Sequence, residues 1–529
     1  MIEKISNYKK RNLDVDKKLF ILIFTIMFSI FLFTSDGHRN SMDEDLTQYH
    51  VKRLVTLEPH PLFIENESRI LFEYPNWFTN PTGPVCQNPI LCSPSHIGHS
   101  ILYYPFVYIN HEINKITKIE INLTYDDFDD PAYIIWRNSL DNDFILLETF
   151  YGPIFASLSV AIFFLISRTF TYSEKTSIFL ALIFGLATAI WAYSNTSLNT
   201  TASIFFILWG FYYFRKFQQN YSVQKILLSS VILSFGFLVR PDVILVIIPL
   251  FVLLIFELKS RDKKIKKIIL FLIPHILSFA ILKLIDYLNF GIFDNKTGIT
   301  SAEFIKSVSI IDTPLHVGIF GNLLAPGLGL MIFVPVLFTV FFSFPDFWQK
   351  HKKETILFSS IIIIFLIFYG RLDAWHGFVS WTARYMITLI PFMLLPLGYS
   401  IEKRNSKKII VIIGILSIIG VFFNIIYVIQ DTTWFVWCTP GCGHGLYTLI
   451  GTESQYNIDQ TTFWTFKNSQ LTWAINTVFT NLQLDLILYK VLGATVYIVM
   501  VASTLTTLSI ILLRILKKEV ILSNKSKKM

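Results

Sequence analysis

Two acidic residues able to do chemistry stand in the phrase "NSMDEDLTQYH", residues 40–50, just after a strongly apolar run. They are Asp43 and Glu44. A rigidly held carboxylate can take the proton from a hydroxyl group as its oxygen attacks. It can also bind a divalent cation such as Mg²⁺ or Mn²⁺ against a phosphate leaving group. The pair therefore indicates a general base or, if a metal is used, its ligands.

The same acids also have a purely structural interpretation. Ser41 and Glu44 fit the capping box, in which serine caps the first helical turn and glutamate reaches back to the cap amide. Asp43 and Asp45 would then lie near the positive end of the helix dipole. The two interpretations are compatible, because a cap that orients Glu44 leaves Asp43 available for chemistry.

The composition of the chain defines its class. The 529 residues are 53% hydrophobic and only 16% charged, with a mean hydropathy of +0.54. Recurring apolar runs of about 17–22 residues are each long enough to cross a hydrocarbon layer of about 30 Å. The net charge of +8 reflects Lys and Arg in short connections, which orient membrane proteins, and nucleic acid is not an expected partner. We predict an all-α polytopic membrane protein.

About twelve transmembrane helices account for the apolar pattern. The first run follows a basic segment without a small-x-small cleavage site, so we interpret it as a retained helix with a cytoplasmic N-terminus. The connections then assigned to the cytoplasm, such as "KSRDKKIKK" and "EKRNSKK", are all rich in Lys or Arg, as the positive-inside rule requires. The predicted spans are 18–35, 145–167, 176–194, 198–214, 226–239, 242–258, 268–287, 328–344, 355–369, 385–400, 409–430 and 486–514.

This arrangement divides the chain into membrane and extracytoplasmic parts. Residues 1–17 and the basic tail 515–529 are predicted to be cytoplasmic, with membrane regions 18–35, 145–287, 328–430 and 486–514. Function is expected in the long outer loops, because loops carry chemistry on a rigid scaffold. In the first of them, the segment "IGHSILYYPFVYINHEI" reads as a helix lying in the membrane interface. The outer loops are 36–144, 288–327, 370–384 and 431–485.

The four cysteines all fall in predicted outer loops, as Cys86 and Cys92 in "CQNPILC" and Cys438 and Cys442 in "CTPGCGHG". An oxidising compartment permits disulfides. Local pairing within each phrase is favoured over pairing between the phrases. A zinc site remains an alternative, although the C-x5-C and C-x3-C spacings are unusual for one.

A series of features follows the first membrane helix, beginning with the acidic motif and the predicted interfacial helix. The later phrases, in this order, are "SHIGHSILYYPFVY", "FGLATAIWAYSNTSLNTTASIFFILWGFYYFRK", "GFLVRPDVILVIIP", "LLAPGLGLMIFVPVL" and "WHGFVSWTARYMITLIPFMLLPLG". Together these features resemble the GT-C superfamily of integral membrane glycosyltransferases. Members of that superfamily take sugars from polyprenyl-phosphate carriers and include the protein O-mannosyltransferases and aminoarabinose transferases.

The resemblance implies roles for individual residues. Asp43 falls where the superfamily has an outer-loop acid acting as base or metal ligand, and Glu44 is its neighbouring acid. Arg384 matches the arginine of an "R-Y" phrase and Arg240 that of "R-P-D". An arginine fork at the outer end of a helix suits a lipid phosphate. Anchoring at the membrane interface is the alternative role for both arginines.

Two departures from the family pattern remove cations from the implied donor site. Leu328 replaces the arginine of "S-P-G-R-G", and Pro94 replaces a lysine. Positive charge could come instead from His96, His99 or Lys296. Separately, His376 beside Asp373 could bind an ion or polarise an acceptor, although both could simply be polar residues of the interface.

The resemblance implies a glycosyltransferase in the cytoplasmic membrane with an extracytoplasmic active face. Its partners would be a polyprenyl-phosphate sugar, the surrounding lipids and a glycan, lipid or protein acceptor. A non-catalytic scaffold or glycan-binding subunit is the first alternative, favoured by the two missing cations. A lipid or solute transporter is the second, because ionisable residues such as His275, Lys283 and Glu148 within membrane segments can mark a transport path.

Overall fold

The computed structural model describes most of the chain, and this part is helical and contains no β-strand. The predicted all-α class is thereby confirmed. The described residues are 2–37, 42–57, 96–117, 147–259, 261, 263–290, 311, 313–372, 375–377, 380–404, 406–431, 463–480 and 482–527. The four cysteines, Ser41, Asp373, Pro94 and Lys296 lie outside them.

The helices are named here in chain order. The first ten are α1 (Ile2–Phe33), α2 (Met42–Thr56), α3 (Ile97–Thr117), α4 (Tyr151–Thr169), α5 (Glu174–Leu186), α6 (Ile190–Tyr193), α7 (Asn199–Asn220), α8 (Val223–Val239), α9 (Ile244–Leu258) and α10 (Lys264–Phe290). The others are α11 (Leu315–Leu324), α12 (Leu330–Phe333), α13 (Val340–Trp348), α14 (Lys352–Gly370), α15 (Ile390–Arg404), α16 (Lys407–Val428), α17 (Gln470–Thr480), α18 (Ile487–Leu492) and α19 (Ala494–Lys527).

Seven helical segments in the described part are long and apolar enough to cross a membrane, and the chain is a multi-pass membrane protein. The expected number of about twelve is not confirmed. Part of the difference lies in broken helices. The predicted span 328–344 consists of α12, a 3₁₀ turn and the start of α13, and Gly493, with φ +76°, interrupts the span 486–514. The seven segments are 148–169, 241–258, 264–285, 352–370, 384–404, 407–428 and 494–512.

Small and hydroxylic residues hold α8 between α7 and α10. A Cβ on Gly210 of α7 would lie 2.5 Å from Cγ of Leu233, so only glycine permits this approach. Ser229 donates a hydrogen bond of 2.8 Å to the carbonyl oxygen of Gly210. On the other side, the Ser234 hydroxyl and Nδ1 of His275 lie 2.6 Å apart. Such contacts are typical of helix packing in membranes, and they give His275 a structural role.

Glu148, the other buried transporter candidate, also joins two elements. Its Oε2 accepts a hydrogen bond of 2.5 Å from the Tyr103 hydroxyl, which ties α3 to the 3₁₀ turn before α4. The rings of Tyr103 and Tyr151 pack edge to face with centroids 5.3 Å apart. The buried carboxylate is therefore satisfied by a neighbouring helix, as burial of a polar group requires.

Helices α2 and α3 pack on one another, and α3 packs on the C-terminal end of α8. The contact between α3 and α8 depends on Gly98, where a Cβ would lie 2.5 Å from the carbonyl carbon of Leu238. The segment predicted as an interfacial helix is thus helical, and its place in a membrane stays a prediction. The close approach brings α2 and α3 to the end of the bundle where Arg240 lies.

The opposite end of the bundle is held by ion pairs. Arg215 of α7 pairs with Glu354 of α14, and Lys403 of α15 lies 3.0 Å from the carboxylate of Asp346 in α13. Pairs with partly buried partners fix helix ends more effectively than exposed ones. The basic connections predicted to be cytoplasmic lie at this end, so the two ends of the bundle differ in chemistry.

Candidate active site

A cavity of about 550 Å³ lies where α3 and α7 begin and where α8 and α14 end. Four residues singled out by the sequence, Arg240, Arg384, His96 and His99, line this one cavity. The other lining residues are Thr47, Leu198, Asn199, Thr200, Phe237, Pro241, Asp242, Ile244, Leu245, Phe368, Tyr369 and Tyr385. The lining therefore combines polar and charged side chains with apolar ones, as ligand sites commonly do.

Arg240 is placed by the end of α8. Proline cannot continue the hydrogen-bonding pattern and disfavours helix in the residue before it, so α8 stops at Val239 and Arg240 adopts an extended conformation, with φ −153° and ψ 115°. Its Nε lies 3.0 Å from Oδ2 of Asp242, and its Nη1 donates to the Thr200 hydroxyl at 3.2 Å. The guanidinium is thereby fixed on two sides at the cavity wall.

The Arg240 side chain is 9% exposed and stays charged. Burial is the largest single effect and lowers the pKa of this guanidinium, but Asp242, Tyr369 and Tyr385 together raise it by more, so the pKa lies above its ordinary value. Asp242 also accepts a hydrogen bond of 2.6 Å from the Tyr369 hydroxyl. Arginine, aspartate and tyrosine thus form one connected network on the wall.

Arg384 begins the 3₁₀ turn that leads into α15. Both arginines make cation–π contacts with the Tyr385 ring. The guanidinium carbons of Arg384 and Arg240 lie 5.3 Å and 5.9 Å from its centroid. Tyr385 stacks on Tyr369 with centroids 4.3 Å apart and 9° between the planes. Attraction between each guanidinium group and the Tyr385 ring is favourable, and it brings the arginines to a common site.

Gly377 packs directly against Arg384. Its φ is +66°, and a Cβ there would lie 2.8 Å from Cγ of Arg384. The same short segment contains His376, whose ring lies 4.8 Å from that of Phe463. Burial, with a smaller effect of Arg384, lowers the pKa of His376 to about 3. The ring is therefore neutral at physiological pH.

We expect the neutral state of His376 to make the protein less stable in mild acid. In the unfolded chain this histidine takes up a proton below its ordinary pKa of about 6.5, whereas in the folded protein it does so only near 3. The contribution of His376 to the free energy of unfolding is therefore largest above pH 6.5 and falls by about 1 kcal/mol per pH unit below it. Thermal unfolding at pH 8 to 5 should show a smaller decline for His376→Phe. An equal decline in both proteins would contradict this.

Glu44 and His99 meet at the connection between α6 and α7. Oε1 of Glu44 accepts hydrogen bonds from the backbone N–H and the hydroxyl of Ser197, at 2.5 and 3.0 Å. The carbonyl oxygen of Ser197 lies 2.8 Å from Nε2 of His99. Glu44 is 1% exposed and His99 3% exposed. The first turn of α2 is therefore anchored beside the cavity, which Thr47 of the next turn lines.

The acidic motif does open a helix, since α2 begins at Met42. Asp43 lies in the first turn of α2, one residue before the anchored Glu44. Ser41, the predicted cap, lies outside the described residues. The roles assigned to Asp43 and Glu44 stay predictions.

Two further expectations concern cations and metals. Leu328, which stands where the family pattern has arginine, is 1% exposed and packs in the core beside Ala383, whose N–H donates to its carbonyl oxygen at 2.9 Å. Among the described residues no group of three or more His, Cys, Asp or Glu side chains could hold a metal ion. Asp373, the expected partner of His376, lies outside that part of the chain.

Sequence reasoning assigned no role to several residues of the cavity. Asp242 stood in the quoted "R-P-D" phrase, and Tyr385 stood in the "R-Y" phrase beside Arg384. Thr200 and Tyr369 carried no comparable signal, nor did Ser197, which lies next to the cavity. They matter through contacts that the fold creates.

The alignment of one family model covers part of this architecture. The model described as dolichyl-phosphate-mannose-protein mannosyltransferase matches residues 150–285, which is 136 of 529 residues and extends from α4 through α10. The predicted resemblance to the GT-C superfamily is confirmed by this match. Arg240 and Asp242 lie inside the matched region, whereas Arg384 and the acidic motif lie outside it.

One of the matches among solved structures covers most of the chain. The crystal structure of ArnT from Cupriavidus metallidurans bound to undecaprenyl phosphate is 11% identical in sequence, with a TM-score of 0.43, over 87% of this chain and 75% of that one. A search of curated proteins gives no significant match.

The contact of α3 with α8 should be essential to the shape of the cavity. We expect Gly98→Ala to push α3 away from the backbone of Leu238 and to destabilise the fold by about 1–3 kcal/mol, the usual cost of overpacking. Gly414→Ala is the matched control, because a Cβ there meets nothing within 4 Å. Thermal unfolding in detergent checks both variants. Equal midpoints for the two would show that α3 can shift at no cost.

Proposed function

We propose that this protein transfers a sugar from a polyprenyl-phosphate carrier to an acceptor hydroxyl at the extracytoplasmic face of the membrane. The observation that carries the proposal is the convergence of Arg240 and Arg384 on a single cavity whose lining is otherwise partly apolar. Two guanidinium groups, that of Arg240 buried and that of Arg384 half-buried, suit a phosphate, because their planar donors match its oxygens. The family match, made to a mannosyltransferase model, supports glycosyl transfer.

The apolar part of the lining suits the isoprenoid tail of such a donor. Phe237, Ile244, Leu245 and Phe368 line the cavity beside the arginines. Two of them are also open to the surroundings of the bundle, since Ile244 is 36% and Phe368 47% exposed. An apolar route therefore runs from the bilayer side of α9 and α14 to the arginines, which allows a phosphate head to be bound while its tail remains in lipid.

The reaction would be a single displacement at the anomeric carbon. The acceptor oxygen forms the new bond to that carbon, and the bond to the phosphate oxygen breaks with its electron pair passing to the phosphate. The acceptor proton goes to a base, for which Asp43 is the candidate. The phosphate changes from a diester with one negative charge to a monoester with nearly two, and the arginines would stabilise this added charge.

Glu44 would then serve as a positioning residue. Its two hydrogen bonds to Ser197 fix the first turn of α2 against the connection that leads to α7. A base is effective only when it lies within hydrogen-bond reach of the proton that it takes. Because Asp43 precedes Glu44 in the same turn of α2, these hydrogen bonds also restrict the backbone of Asp43.

The test is direct reconstitution with a panel of polyprenyl-phosphate sugars, with transfer or sugar release followed by mass spectrometry. Turnover of at least one donor, lost when the arginines are replaced, would support the proposal. An arm with EDTA asks whether a divalent ion takes part. Absence of turnover with every donor, together with absence of lipid-phosphate binding, would favour a non-catalytic scaffold.

A further inference from the structure

Asp242 is a carboxylate in a cavity proposed to bind an anion. Its side chain is 6% exposed, and Oδ2 contacts both Arg240 Nε and the Tyr369 hydroxyl. Its other oxygen, Oδ1, is buried and has no hydrogen-bond partner among the described residues. A buried carboxylate with only one hydrogen-bonded oxygen is unfavourable beside a phosphate site for two reasons. Its own desolvation costs free energy, and its negative charge repels the ligand. Its presence there calls for a physical account.

The charges of the lining residues provide one. Arg240 and Arg384 contribute +2 and Asp242 contributes −1, so these three groups sum to +1. A phosphate diester, the form of the proposed donor, carries one negative charge. The phosphate monoester left after sugar transfer carries about −1.5 to −2 near pH 7. The summed charge matches the donor and falls short of the product.

We infer that Asp242 is a positioning and specificity-determining residue. It lowers the affinity of the cavity for the dianionic lipid phosphate relative to its affinity for the monoanionic diester. The inference rests on the proposed function. Asp242 holds Arg240 by its Nε edge, so three of the five guanidinium N–H donors remain for a ligand once Thr200 has taken one. At the same time its negative charge repels the product more strongly than the donor, which favours release of the spent carrier.

Charge scaling distinguishes this role from a purely structural one. The Coulomb energy between two groups is proportional to the product of their charges. Removing the charge of Asp242 should therefore favour a dianion about twice as much, in free energy, as a monoanion. A residue that only supported the fold would, when replaced, weaken the binding of both ligands by similar factors.

The experiment measures the dissociation constants of undecaprenyl phosphate and of its methyl ester for the full-length protein in nanodiscs at pH 8. We expect Asp242→Asn to bind the phosphate about tenfold more tightly and the methyl ester about threefold more tightly, so that the ratio of the two constants shifts about threefold. Glu354→Gln is the matched control, because it also removes a carboxylate paired with arginine, here a partly buried one, but at the other end of α14. Its ratio should equal that of the wild type.

The outcomes separate the two hypotheses. If the wild type binds neither lipid, the proposed function fails, and the inference that rests on it fails too. If the wild type binds both lipids and Asp242→Asn leaves their ratio unchanged, the inference alone is overturned. Asp242→Ser makes the same change of charge and decides the matter if the asparagine variant does not fold.

Discussion

Arg384→Gln is expected to weaken binding of undecaprenyl phosphate by about ten- to a hundredfold, because a hydrogen bond to a charged group contributes about 1.5–3 kcal/mol. Arg384 lines the cavity, and its guanidinium group, like that of Arg240, lies near the Tyr385 ring. Glutamine keeps much of the length and polarity of arginine while removing the charge. Titration of the lipid into protein held in nanodiscs measures the loss, and turnover of the best donor should fall with it.

The control for this variant is Arg371→Gln. Arg371 follows α14 at the same end of the bundle, is partly exposed and donates to the carbonyl oxygen of Ile311, yet it does not line the cavity. Its replacement should leave binding within about twofold of the wild type, as is usual for partly exposed charges. Equal losses in the two variants would mean that general positive charge at this face, and not the cavity, attracts the lipid.

Arg240 needs a different design, because removing it alone leaves the buried carboxylate of Asp242 without its cation. Breaking a buried pair from one side is strongly destabilising. The double variant Arg240→Gln with Asp242→Asn removes both charges and is compared with Asp242→Asn alone, which is itself expected to bind the lipid more tightly than the wild type. Equal binding by the double variant and by Asp242→Asn would exclude Arg240 as a phosphate ligand.

The residues that converge on the cavity could be singled out in the sequence because each stands in a distinctive local phrase. Arg240 precedes a proline, which ends a helix, and Arg384 begins the turn that leads into α15. Helix ends carry polar groups that point to ligands. Local rules thus indicated which residues could act, although they could not show that residues so distant in the chain share one cavity.

The contacts that organise the cavity depend on tertiary packing. Asp242 and Tyr369 are 127 residues apart, and Glu44 and Ser197 are 153 residues apart. No periodicity or motif predicts such pairs, because the helices could pack in several orders with the same apolar pattern. Glu44 is an example. The sequence indicated a helix-capping role for it, but only the fold shows that its Oε1 accepts hydrogen bonds from Ser197, in the connection between α6 and α7.

Helix boundaries show the same division between local and tertiary information. Apolar runs predicted the positions of the long helices well. An apolar segment in lipid forms a helix because only then are its backbone N–H and C=O groups hydrogen-bonded within the segment. The breaks within 328–344 and at Gly493 were missed, since protein packing around a segment allows its helix to stop inside an apolar run. Apolar length alone therefore does not show whether a predicted span is one continuous helix.

Asp43→Asn is expected to lower the rate of sugar transfer by at least about a hundredfold, the usual contribution of a general base, while lipid-phosphate binding stays within about twofold. Asparagine has the shape of aspartate and can still lie in the first turn of α2, but it cannot take a proton. Single-turnover transfer, measured beside the dissociation constant of undecaprenyl phosphate, separates a chemical defect from a binding defect.

Asp45→Asn provides the matched control, because it removes the same charge from the same helix two residues further on, about 200° round the helix axis. If both variants lose little activity, the acids serve the helix dipole and the capping interpretation holds alone. If only Asp43→Asn fails, the acid is chemical, and the response to EDTA then separates a base from a metal ligand. A base needs no ion, so wild-type transfer that survives EDTA together with loss of transfer in Asp43→Asn would identify Asp43 as the proton acceptor.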